Sequence, residues 1–126
     1  MSITIAMTER ARQYLETAIW ADLRDSETGE PMDSEYDATD AAPETVAAVE
    51  AELADFFAAN EADIAETGAG DGRTAHDFYL TRCGHGAGFW DRGYGPVGDR
   101  LTDAAKAYGS VYPYLGDDGR VYITNG

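Results

Sequence analysis

Hydrophobic positions recur with two periods along the chain. From Thr8, "TERARQYLETAIWADLR" sets Ala11, Tyr14, Leu15, Ala18, Ile19 and Leu23 three and four residues apart. That spacing predicts an amphipathic helix, with Thr8 suited to the N-cap and Glu9 to the first turn. A second helical period opens at Pro43, whose fixed φ suits a first helical position, and runs through Val46, Val49, Leu53, Phe56 and Phe57 to Ile64. Between them, residues 25–41 hold almost nothing apolar and include Gly29 and Pro31, which reads as an acidic surface loop. The glycines of "TGAGDGRT" then mark a flexible connection.

Beyond it the period shortens to two. Phe78 and Leu80 alternate with Tyr79 and Thr81 in "DFYLTR", a half-buried strand, and "AGFWDRG" returns beside it through a glycine-rich corner. Phe89 and Trp90, adjacent in that return strand, would face opposite sides and anchor the hairpin. "GPVGDRLTDAAKAYGS" predicts a third helix with Val97, Leu101, Ala104, Ala105 and Tyr108 on one face and Gly109 as its stop. "SVYPYLGDDGRVYI" predicts a second hairpin turning at Asp117-Asp118-Gly119, with Pro113 confining its strand to an edge. The expected fold is α+β: two N-terminal helices, then hairpin, helix, hairpin, the strands forming one small antiparallel sheet with helices packed on it. Tyr79, Tyr112, Tyr114 and Tyr122 are expected on one face of that sheet, beneath a helix or, as the alternative, open as a binding surface.

At 126 residues the chain suits a single domain, 1–126, with a helical acidic half over about 1–70 and a sheet-forming half over about 71–126. A lone cysteine makes no internal disulfide, and the apolar opening "ITIAM" is too short for a membrane helix or a secretory leader. These features predict a non-membrane, cytoplasmic protein. Charge adds the strongest asymmetry. The net charge is −15, and residues 1–75 carry eighteen acids against four arginines. Such a field repels phosphate backbones and favours basic protein surfaces, so direct nucleic-acid binding is not expected. An acidic proteome produces the same composition for solubility alone.

Candidate chemistry is sparse. Cys83 and His85 flank a glycine, where side-chain direction is unset, and no helix follows to acidify the thiol. His76, Cys83 and His85 with Asp77 or Asp91 lack a familiar zinc spacing. Asp33, Glu35, Asp37, Thr39 and Glu44 fall in the register of a calcium loop, which makes calcium the one cofactor candidate. Ala38 stands where that loop needs glycine, so a solvated loop with Asp40 or Ala41 capping the second helix is the plainer reading. His85, Trp90, Asp91 and Arg92 are ligand-binding candidates: a turn histidine, an aromatic and an arginine able to clamp an anion. Their plainer reading is an ion pair and an anchor holding a loop, with Asp99-Arg100 in the same role. Glu44, Glu50, Glu52 and Asp55, on the polar face of the second helix, are the interaction candidates.

"HDFYLTRCGHGAGFWDRG", "GDRLTDAAKAYG", "YLGDDGRVYI" and the upstream "PMDSEYDATDAAPET" resemble a family of small bacteriophage and mobile-element proteins across nearly the whole chain. The resemblance implies phage origin and a single small domain, and transfers no catalytic residue. Relatives commonly have Trp at the position of Tyr79 and Asn at that of Cys83, which implies that the thiol is dispensable. An acidic accessory protein of this kind is expected to bind and modulate a host protein in the host cytoplasm, as an anti-defence factor or nucleic-acid mimic. That partner would be basic and nucleic-acid-binding. The alternatives are a small-ligand-binding protein or small enzyme around His85, Asp91 and Arg92, and a virion-associated structural protein. Oligomeric state stays open.

Overall fold

Residues 77–82 decide the architecture, and they are helical rather than extended. The computed structural model describes residues 7–125, so all of the apolar opening but Met7 lies outside the described residues. Five helices precede one hairpin: α1 (Glu9–Asp22), α2 (Pro43–Ala59), α3 (Glu61–Thr67), α4 (Asp71–Arg82) and α5 (Pro96–Lys106), then β1 (Val111–Leu115) and β2 (Val121–Asn125). Short 3-10 turns sit at Ala38–Asp40 and Phe89–Asp91. The class is α+β, but mostly helical, and the sheet has two strands, not four.

The predicted first hairpin fails for an identifiable reason. In α4 the run Asp77 to Arg82 is buried at every position, because α1 covers one side and the remaining elements close the other. A helical stretch buried all round shows no 3.6-residue stripe, and its residues are open to being read as alternation. Gly72 belongs to the first turn of α4, so the supposed flexible connection shrinks to Gly68–Gly70, with Gly68 at φ 70° ending α3. After α4, Gly84 at φ 74° reverses the chain and Gly88 at φ 150° lets the next turn lie against Thr81. A Cβ at Gly88 would collide with Thr81 Oγ1, the oxygen that accepts from the Phe89 N–H.

Other expectations hold with adjustments. Thr8 caps α1, its hydroxyl accepting from Ala11 N. The second helical period is cut at Asn60 into α2 and α3, although Ile64 is still buried. Ala42, not Asp40 or Ala41, is the N-cap of α2 and contributes no side chain; Asp37 and Asp40 instead form a reciprocal cap on the 3-10 turn. α5 begins at Pro96, and the terminal hairpin turns through Gly119 at φ 77° with Tyr114 opposite Tyr122. Tyr112 and Tyr114 are 50% and 42% exposed, so no helix covers the tyrosine face, and Tyr79 lies in α4 with its ring edge-on to Tyr14. Val121 also bridges to Ala41, tying the hairpin to the loop that enters α2.

The main core joins α1, α2, α4 and α5 with β1. Phe56 stacks on Phe78 at 4.2 Å between centroids and on Phe89 at 5.9 Å, and Tyr14 leans on Phe78. Arg82 is buried within this core. Its Nε donates to Gly109 O and its two terminal nitrogens to Tyr108 O, Tyr14 Oη and the Glu52 carboxylate. Residues of the acidic half and of the hairpin-bearing half share this core.

Candidate functional site

Helix α4 and the turn after it place the sequence-nominated ligand group on different surfaces. Phe89 is buried and Trp90 is 51% exposed, so only Phe89 anchors this 3-10 turn, and the expected pair of rings anchoring a hairpin is not found. Arg92 makes a two-pronged pair with the buried carboxylate of Asp77, Nε at 3.1 Å and a terminal nitrogen at 2.8 Å, so it locks the turn to α4 and is not free to clamp an anion. Arg100 does the same with Asp63, and neither arginine pairs with the adjacent Asp91 or Asp99. Of the four, His85 lines the cavity formed at the end of α1.

That cavity, about 530 Å³, lies where the C-terminal end of α1, the acidic loop and the turn after α4 meet. Trp20, Ala21, Pro31, Leu80 and Ala87 give it apolar walls; Arg24, Asp33 and His85 supply its polar groups. A volume of this size, apolar with few polar groups, is typical of small-molecule sites. Two of its rings are held from behind. His85 Nε2 lies 2.9 Å from Asp22 Oδ2, and the Tyr79 hydroxyl donates to the same oxygen while its ring stacks on the imidazole. Since a carboxylate only accepts, Nε2 carries a proton, and in the neutral imidazole Nδ1 is left as an acceptor. Burial, and then the Asp22 carboxylate, push the Tyr79 phenol far above its usual range, so it stays a neutral donor.

The second ring is Trp20, which is 57% exposed and stacks on His76 at 6.2 Å. His76 Nδ1 is 2.8 Å from Thr17 Oγ1. The Thr17 proton already goes to Gln13 O, so the hydroxyl accepts and His76 donates. Burial, the largest influence, lowers the His76 pKa below its ordinary 6.5 and favours that neutral donor. Arg24 forms no ion pair or hydrogen bond through its guanidinium among the described residues. Sequence reasoning missed Asp22, Trp20 and Arg24. Their signal was present: α1 carries an exposed tryptophan and a terminal Asp just before the polar loop.

The remaining candidates take structural roles. Glu50 accepts from Thr8 N and Oγ1, Glu52 pairs with Arg82, and Asp55 accepts from the Tyr108 hydroxyl. Glu44 is exposed at the start of α2. Asp33, Glu35, Asp37 and Glu44 do not converge on a calcium site. Among the described residues no group of three or more His, Cys, Asp or Glu could hold a metal ion, and Asp37 is occupied by Thr39. The Cys83 thiol donates to Val111 O at 3.3 Å, and burial raises its pKa, so it is a protonated, structural group. Among the described residues no helix is long and apolar enough to cross a membrane. Compared with protein-family models, with curated proteins and with solved structures, the chain matches none.

Proposed function

We propose that this chain is a small acidic accessory protein of a bacteriophage or other mobile element that acts in the host cytoplasm by binding and modulating a host protein. The partner class is a basic, nucleic-acid-binding protein, for which the chain presents a competing field of negative charge. The observation that carries this reading is the charge distribution: eighteen acids against four arginines within residues 1–75. Its focus moves, however, from α2 to the loop before it. Glu50, Glu52 and Asp55 each have a partner within the chain, whereas Glu27, Glu30, Asp33 and Glu35 are exposed, with no ion pair among the described residues. The motif resemblance supports the phage origin.

The test is affinity purification of the tagged chain from infected cells, washed at rising salt, beside a Glu27→Lys, Glu30→Lys, Glu35→Lys variant. The reading expects one basic host protein that is lost as salt rises and is absent from the variant. Equal recovery by the variant, or recovery of the chain in purified particles instead, removes it. A second reading, a small-ligand-binding protein, is favoured by the cavity at His85, without Asp91 or Arg92.

A further inference from the structure

We propose that the cavity between Trp20 and His85 is a binding site for a small planar aromatic carboxylate that carries a ring hydrogen-bond donor. The assignment is independent of the host-protein reading and rests on three features. The first is preorganisation. His85 is hydrogen-bonded to Asp22, which also takes the Tyr79 hydroxyl, and Trp20 stacks on His76, itself hydrogen-bonded to Thr17. Side chains so supported lose little freedom when a ligand ring packs against them. A solvent-exposed indole at 57% exposure has no such need of support for the fold's sake.

The second feature is the state of the two arginines near this end of the molecule. Arg92 is saturated by Asp77, but Arg24 lines the cavity with its guanidinium unpaired among the described residues. One guanidinium matches one carboxylate in a fork-to-fork pair. A phosphate dianion would be poorly served by a single cation in a chain of net charge −15, with Asp33 in the same wall. The third feature is the imidazole tautomer. With Nε2–H committed to Asp22, the neutral imidazole keeps Nδ1 as an acceptor, which a ligand hydroxyl or N–H would satisfy. The apolar residues Leu80, Pro31, Ala21 and Ala87 receive the ring between these polar ends.

The probe is 4-hydroxybenzoate, titrated into the full chain and followed in 1H–15N spectra through the indole N–H signals of Trp20 and Trp90. Saturable movement of the Trp20 signal is expected while Trp90, outside the cavity, stays still. Arg24→Gln should weaken binding about tenfold or more, and Arg24→Lys less, because a lysine keeps the charge and loses the fork. Methyl 4-hydroxybenzoate, which lacks the carboxylate, should bind about as weakly as the probe binds Arg24→Gln. The side chain of Arg24 holds nothing else, so this variant keeps its thermal unfolding temperature. Absence of a saturable shift, equal affinity for the methyl ester, or undiminished binding by Arg24→Gln would overturn the assignment. So would saturable binding of adenosine monophosphate with none of 4-hydroxybenzoate.

Discussion

Arg82 and Arg24 mark two regions that differ in how polarity is handled. At Arg82, on the last turn of α4, the guanidinium is almost fully buried, every side of it meets an acceptor, and the rings of Phe78 and Tyr108 lie 5.4 and 5.7 Å away. At Arg24, just past α1, the guanidinium stands at the wall of a cavity with no acceptor from the described residues. A buried charge without partners is costly, so the first arrangement is what a fold must build. An open cation beside fixed aromatic rings contributes little to folding, so the second is available to something outside the chain. Helix α4 connects them, with Arg82 at one side and the Tyr79 hydroxyl, joined through Asp22 to His85, at the other.

The largest expected effect breaks the packed end. Arg82→Met would leave Glu52 unpaired and remove the donors of Tyr108 O and Gly109 O, which should destabilise the chain by about 3–5 kcal/mol in urea unfolding. Next comes Gly88→Ala, where the added Cβ meets Thr81 Oγ1 and φ is 150°; a loss of about 2 kcal/mol is expected by the same measurement. If Gly88→Ala were neutral, the close seating of the turn against α4 would be wrong.

A smaller effect reports on the ring supports. The His76 pKa is lowered from 6.5 chiefly by burial, so the unfolded chain takes up this proton first. The contribution is therefore full above about pH 6.5 and is lost as pH falls from there towards the folded value. The urea midpoint should fall between about pH 7.5 and 5.5, and His76→Gln should flatten that fall. The carboxylates held low by hydrogen bonds, Asp37 by Thr39 and Asp63 by Arg100, act only below the ordinary carboxylate value of 3.8, outside this window.

The two regions were also unequally legible in the sequence. α1, α2, α5 and the terminal hairpin carry one-sided apolar stripes or a turn signal, and these are what periodicity reports. The second half of α4, from Asp77 to Arg82, is enclosed on all sides, so Asp77, Thr81 and Arg82 are buried along with its apolar residues and blur the stripe. The glycines after Cys83 did mark a sharp reversal, at the end of a helix and not between strands. His85 was visible as a turn histidine with little core to fill. Its partner Asp22 lies sixty-three residues earlier, and such a pairing is set by tertiary packing, which leaves no local spacing to read. The carboxylates of α2 looked like free surface because their partners, Thr8, Arg82 and Tyr108, are also remote.

The central claim is that the Arg82 end is built for the fold and the Arg24 end is not. Urea unfolding of Arg24→Gln beside Arg82→Met tests it most directly. The account predicts that Arg24→Gln stays within about 0.5 kcal/mol of the unsubstituted chain while Arg82→Met loses several-fold more. A loss at Arg24 comparable with that at Arg82 would contradict it, since the cavity wall would then be part of the folding framework.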